Sequence, residues 1–202
     1  MPKDISKKIL AATLEVIAKE KISGTRMHLI AEEADMTQSN LHYYFPTKND
    51  LLIALLNDIQ HWFSENRQQQ VDLEHKSSAE NLHALFSEKR DVILNHKKLD
   101  YVQFDYWVQG TVDPEVRSTF QRTFDTWRKD IQKVLNERSR SKTGDVRYQR
   151  MIPYLMVSLM MGASMQYLID EAEFDLDEYF EVAEAVILSL LAEEKIESEA
   201  IK

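Results

Sequence analysis

Apolar residues return every three or four positions along most of the chain, the spacing of helices that each bury one face. No alternating run bounded by turn residues stands out as a strand. Ile5, Ile9, Ala12 and Val16, widened by Leu10, Thr13 and Ile17, predict a first helix from about Asp4 to Lys19. Gly24 suits a helix end and Thr25 is a good N-cap for a second helix, with Met27, Ile30, Ala31 and Ala34 on its apolar side. Asp35-Met36-Thr37 reads as a tight turn, with Asp35 where the backbone goes left-handed. A third helix over about Gln38–Phe45 ends at Pro46, and Thr47 is placed to cap a fourth. That fourth helix, from about 48 to 67, carries Leu51, Leu52, Leu55, Leu56, Ile59, Trp62 and Phe63 in one stripe.

A polar segment near 68–78 follows, the best junction in the chain. Helical spacing then resumes near 79–96, 99–110, 114–138, 147–169 and 176–194, with Lys142-Thr143-Gly144-Asp145 as a break before the last pair. Four glycines and four prolines leave little material for hairpins. The expected fold is all-α. Residues 1–50 form a small N-terminal domain, 51–202 a larger C-terminal one, and the fourth helix links them.

Composition narrows the function classes. An apolar share of 44% with 29% charged residues belongs to a folded chain rather than a disordered one. The absence of cysteine excludes disulfides and thiolate metal sites and fits a reducing compartment. Charges run through the first apolar residues, so no secretion signal is expected there. The longest apolar region, Leu155 to Leu168, is interrupted by Ser158, Gly162, Ser164 and Gln166, so no membrane crossing is expected and the cytoplasm is the expected location.

The net charge of −9 is unevenly spread. Residues 1–50 hold seven Lys/Arg and seven Asp/Glu, while 51–202 hold 18 and 27 and so carry the whole excess. Acidic surface repels the phosphate backbone, which confines any nucleic-acid contact to the N-terminal quarter.

Within that quarter the third helix is asymmetric. Leu41, Tyr44 and Phe45 face inward, leaving Gln38, Ser39, Asn40, His42 and Tyr43 outward. A face chosen only for solubility would show Lys and Glu. Amides, hydroxyls, an imidazole and a phenol instead match the donors and acceptors of base edges. Lys48, about one turn beyond, is placed to neutralise a phosphate, and the Tyr43 hydroxyl to donate to one.

These residues resemble the helix-turn-helix of the tetracycline-repressor-type (TetR) family. The family pattern is an Ile-Ala pair, an Ala-Gly-Val-Ser turn, then Gly-x-Leu-Tyr-x-Tyr-Phe and a Lys. Here Ile30-Ala31, Ala34-Asp35-Met36-Thr37, Ser39-Asn40-Leu41-His42-Tyr43-Tyr44-Phe45 and Lys48 stand at those places. Asp35 and Ser39 replace glycines and His42 replaces a tyrosine. The resemblance implies an all-α homodimer. Its N-terminal domain would bind a palindromic operator in double-stranded DNA, and its C-terminal domain would enclose a small-molecule effector and pair the subunits. On that reading Thr37, Gln38, Ser39, Asn40, His42 and Tyr43 contact bases, while Thr25, Arg26, Tyr43, Thr47 and Lys48 contact phosphates. The implied function is a ligand-responsive repressor with no catalytic residues, no cofactor and no metal.

The C-terminal region offers candidates of its own. Met151, Leu155, Ser158, Gly162 and Met165, with Tyr179, Val182, Val186 and Leu190, form stripes broad enough for a dimer interface built from two helices per subunit. Phe86, Tyr101, Phe104, Asp105, Trp107, Phe124, Trp127 and Tyr154 are the candidate ligand pocket, and Asp105 beside aromatic rings would suit a cationic ligand. Glu173, Asp175, Asp177 and Glu184 mimic calcium-loop spacing, but Glu178 stands where that loop needs glycine, so an acidic helix start is the better reading. The six histidines show no zinc-site pairing. The competing reading from another class is an all-α interaction or adaptor protein whose N-terminal helices bind a protein.

Overall fold

The computed structural model describes residues 2–136 and 146–199, which are helical apart from short connections. Among these residues nine helices follow in order. They are α1 Pro2–Gly24, α2 Met27–Glu33, α3 Gln38–Tyr44, α4 Lys48–Gln70, α5 Ser78–Asn95, α6 Lys97–Gln109, α7 Pro114–Asn136, α8 Val146–Ile169 and α9 Leu176–Glu199. The all-α expectation holds, and the helix boundaries lie close to those read from the hydrophobic spacing. The break expected at Lys142–Asp145 lies outside the described residues.

Two compact units emerge. One comprises Met1–Phe63 with Lys98–Arg122, the other Ser64–Lys97 with Thr123–Lys202. The first therefore extends past residue 50 and takes in α6 from Lys98 together with the start of α7. Ile9, Ala12, Val16, Ile30, Ala31, Ala34, Leu41 and Leu51 form the core that holds α1, α2 and α3 together. Tyr106 of α6 is fully buried, and its hydroxyl donates to the Leu52 carbonyl at 2.8 Å. Burial holds that phenol in its protonated form.

The second unit packs α5, α8 and α9 on one core that includes Leu82, Phe86, Ile131, Ile152, Met156 and Phe180. Residues Arg150–Ile169 of α8 prove long and apolar enough to cross a membrane by length and composition. Ile152, Met156, Met160, Ala163 and Tyr167 account for much of that hydrophobicity by packing into the unit's core. The acidic residues near Glu173 have structural partners. Asp175 accepts from the Asp177 and Glu178 amides at the start of α9, Asp177 pairs with Arg90, and Glu184 with His83.

Candidate nucleic-acid interface

The turn between α2 and α3 is built as its residues demand. Asp35 adopts φ 49°, the left-handed conformation that aspartate tolerates better than most side chains. The Met36 amide donates to the Ala31 carbonyl at 3.0 Å and closes the turn. Thr37 then caps α3, its hydroxyl accepting from the Asn40 amide at 3.2 Å. Leu41 is fully buried and fixes the rotation of the helix, with Tyr44 and Phe45 packed partly against the same core. Gln38, Ser39, Asn40 and Tyr43 are left exposed on the other side, with Tyr43 at 81%.

His42 differs from its neighbours. It is half-buried, and both ring nitrogens are engaged: Nε2 lies 3.3 Å from Gln38 Nε2 and Nδ1 lies 3.0 Å from the Pro46 carbonyl. The network assigns the ring proton to Nδ1, so the Gln38 amide donates to the ring and the ring donates to the backbone. His42 thus orients Gln38, and its own nitrogens are committed within the protein.

The phosphate candidates divide as well. Thr47 and Asp50 form a reciprocal cap at the start of α4: the Thr47 hydroxyl and amide donate to the Asp50 carboxylate at 2.7 and 3.0 Å, and the Asp50 amide donates back to the hydroxyl at 3.1 Å. Arg26 is exposed and donates to the Ser23 and Thr25 carbonyls. Lys48 donates to the Ile22 carbonyl at 2.8 Å. Burial, and then the charge of Arg26, pull its ammonium below the usual lysine range.

Thr25 departs from the expectation twice. It is completely buried and its hydroxyl donates to the Lys21 carbonyl at 2.7 Å, so Arg26 rather than Thr25 occupies the N-cap of α2 and the hydroxyl does not reach the surface. The cause is a break in α1 at Lys21, whose φ of 61° and ψ of 168° fall in a region normally reserved for glycine. The following residue is held on both sides: the Ile22 amide donates to Asp105 at 2.5 Å and the Ile22 carbonyl accepts from Lys48.

The residues expected to form a ligand pocket fall in both units, Tyr101, Phe104, Asp105 and Trp107 in the first and Phe86, Phe124, Trp127 and Tyr154 in the second. Phe86 is buried in core, while Tyr101, Trp107 and Tyr154 are exposed. Asp105 is occupied by the Ile22 amide. Several rings already carry the chain's own cations, with Lys21 Nζ 3.4 Å from the Tyr101 centroid and Arg128 Cζ 4.5 Å from that of Tyr154. Of the eight, Trp127 alone lines the cavity of about 300 Å³ found in the second unit. Val71, Leu73, Leu85 and Ile131 supply its apolar wall and Arg67 stands beside Trp127. Arg67 was legible: it follows Ile59 and Phe63 at steps of four, a charge on the apolar stripe of α4.

Residues 9–55 match the model of bacterial regulatory proteins of the tetR family. That segment is therefore similar to the DNA-binding domain of TetR-family transcriptional regulators. The HTH-type transcriptional regulator RutR of Escherichia coli K12 is 45% identical over 53 residues, which is 26% of this chain and 25% of RutR, so the likeness in sequence covers a quarter of that relative's length. Solved structures extend the likeness in fold. A regulator from Pseudomonas aeruginosa PAO1 superposes with a TM-score of 0.83 at 15% identity, over 95% of this chain and 92% of that one. A regulator from Saccharomonospora viridis, solved in complex with choline, superposes with a TM-score of 0.80 at 18% identity, over 92% and 96%. The likeness in sequence is thus confined to the N-terminal DNA-binding segment, and the likeness in fold extends over the whole chain.

Proposed function

We propose that the protein is a ligand-responsive repressor that binds a palindromic operator in double-stranded DNA as a homodimer. The observation that carries this reading is the exposed face of α3: Gln38, Ser39, Asn40 and Tyr43 over a fully buried Leu41, with no Lys or Glu among them. Thr37, Gln38, Ser39, Asn40 and Tyr43 read bases, and His42 contributes by holding the Gln38 amide. Arg26, Tyr43, Thr47 and Lys48 meet phosphates, with Lys48 exchanging the Ile22 carbonyl for the phosphate oxygen. Such a protein acts in the cytoplasm, where its operator lies, and needs no catalytic group.

Dimerisation is supported by an apolar face that its own unit leaves uncovered. Met151, Leu155, Met165, Val182 and Val186 are each at least 43% exposed, and Ser158 is exposed beside them. A Cβ added at Gly162 would meet nothing within 4 Å, so a second helix has room to approach there. Tyr179 and Leu190 pack partly against their own core and sit at the margin of this face. Two half-sites then multiply the specificity of one short recognition helix. Ligand response is supported by the cavity beside Arg67 and by the choline bound to the Saccharomonospora viridis regulator of the same fold. Release requires only that the ligand favour a spacing of the two α3 helices that no longer fits the half-sites.

Selection of bound sequences from random duplex DNA tests the proposal. A two-fold symmetric motif is expected. Gln38→Ala and Asn40→Ala should change the preferred bases, with losses of about 1–3 kcal/mol per contact. A protein that selects no motif, and whose partners are captured through α3 as polypeptides, is an adaptor instead.

A further inference from the structure

Two residues that line the cavity of the second unit carry three buried hydrogen-bond donors without acceptors among the described residues. Arg67 retains only 6% exposure, yet its Nε and Nη2 have no hydrogen-bond partner among the described residues. Trp127, 5% exposed, lies with its ring centroid 4.5 Å from the Arg67 guanidinium carbon, and its Nε1 is likewise unpartnered. Both residues line the cavity of about 300 Å³, against Val71, Leu85 and Ile131. Buried polar groups in folded proteins are nearly always satisfied, and an unsatisfied charged donor is among the costliest. Three orphaned donors on two neighbouring residues of one cavity wall are a demand for an acceptor.

The shape of that demand is specific. Nε and Nη2 form one edge of the guanidinium, the edge that grips a carboxylate with two parallel bonds. Arg90 shows the same edge at work in this protein, with Nε and Nη2 donating to the two carboxylate oxygens of Asp177. The nearby acids do not fill the role at Arg67. Asp130 is bound by Lys133 at 2.8 Å, and Glu88 accepts from Asn66 at 2.7 Å; both support the arginine's charge through space while leaving Nε and Nη2 unbonded. The Trp127 N–H is a donor only, so it too selects for oxygen.

We infer that this cavity is the effector site, and that its ligand is a small organic carboxylate whose charged end takes the Nε–Nη2 edge of Arg67 while its apolar body lies against Val71, Leu85 and Ile131. The inference rests on the ligand-responsive reading above and names its ligand class. It reverses the cationic ligand expected from Asp105. That carboxylate is spent on Ile22, and the site now in view offers donors.

The test is calorimetric titration of the full chain with acetate, hexanoate, benzoate and indole-3-acetate, each beside its neutral amide, and with choline. At least one carboxylate should bind, tenfold or more tightly than its amide and than choline. Arg67→Met, which keeps the apolar stem, should weaken that carboxylate by roughly tenfold to a hundredfold, the range of one charge-assisted pair. Trp127→Phe, which removes only the N–H and part of the ring, should weaken it several-fold. Circular dichroism and the thermal midpoint establish that both variants fold. If no carboxylate outbinds its amide, or if Arg67→Met binds it unchanged, the assignment is overturned. Mobility shift with the duplex selected from the random pool separates the two claims. A carboxylate that binds but leaves the DNA complex intact keeps the site and removes the ligand response. Release by choline without carboxylate binding keeps the response and removes the site.

Discussion

The recognition helix and the Arg67 cavity are both polar, but they keep their polarity in opposite ways. Around α3 much of the polar chemistry is engaged before any DNA arrives: Gln38 with His42, His42 with Pro46, Thr47 with Asp50, Lys48 with Ile22. At the cavity wall Arg67 and Trp127 hold donors that nothing among the described residues accepts. Surface groups exchange partners with water at little cost, so a DNA-reading face can be ordered in advance and re-paired on contact. Buried donors have no such reserve. The difference teaches where each kind of recognition is stored: the interface stores it in orientation, the cavity in unmet demand.

The severest way to break this contrast is to remove the support of the reading face. Leu41→Ala deletes a fully buried side chain and should destabilise the first unit by about 2–5 kcal/mol, read by chemical denaturation, with DNA binding lost alongside. The opposite sign is expected at the cavity. Arg67→Met removes unpaired buried donors and should raise the stability of the ligand-free protein by about 1–3 kcal/mol, visible as a higher thermal midpoint. A fall there would mean that Arg67 is already satisfied, and the comparison would collapse.

Smaller effects sharpen it. Lys48→Ala should weaken binding to all duplexes alike and reduce the salt dependence by about one phosphate's worth, measured as the slope of log affinity against log salt. The least effect concerns acid. Hydrogen bonds from the His75 backbone to Asp72, and from the Ser77 side chain to Glu80, hold both carboxyls below their ordinary 3.8 and 4.5. A carboxyl depressed in the folded state stabilises above its unfolded value and loses that contribution as pH falls through the folded one. The connection between α4 and α5 should therefore loosen below about pH 4, seen as faster amide exchange at Ser77 and Glu80.

The fold was legible because helix ends and apolar stripes are local properties. Thr47 capping α4 and Asp35 turning left-handed follow from the chemistry of a few neighbouring residues. The features that escaped depend on contacts distant in sequence. Thr25 looked like a cap because nothing nearby reveals the break at Lys21, which is held by Asp105, 83 residues beyond Ile22. The aromatic residues show a related limit: spacing identifies rings that are apolar, but not which of them stack with Lys21 or Arg128. Arg67 carried a readable anomaly, a cation in an apolar register, whereas its missing partners exist only in three dimensions.

If Lys48 meets a phosphate as proposed, the Ile22 carbonyl and that phosphate compete for the same ammonium, so the operator's rival for that charge is the protein's own backbone. A phosphate contact by Lys48 would then be a swap rather than a gain, its worth set by how firmly Asp105 and the strained Lys21 keep that carbonyl in place. A substitution at Asp105, outside the recognition helix, would tune affinity for all operators together while leaving the choice among them untouched.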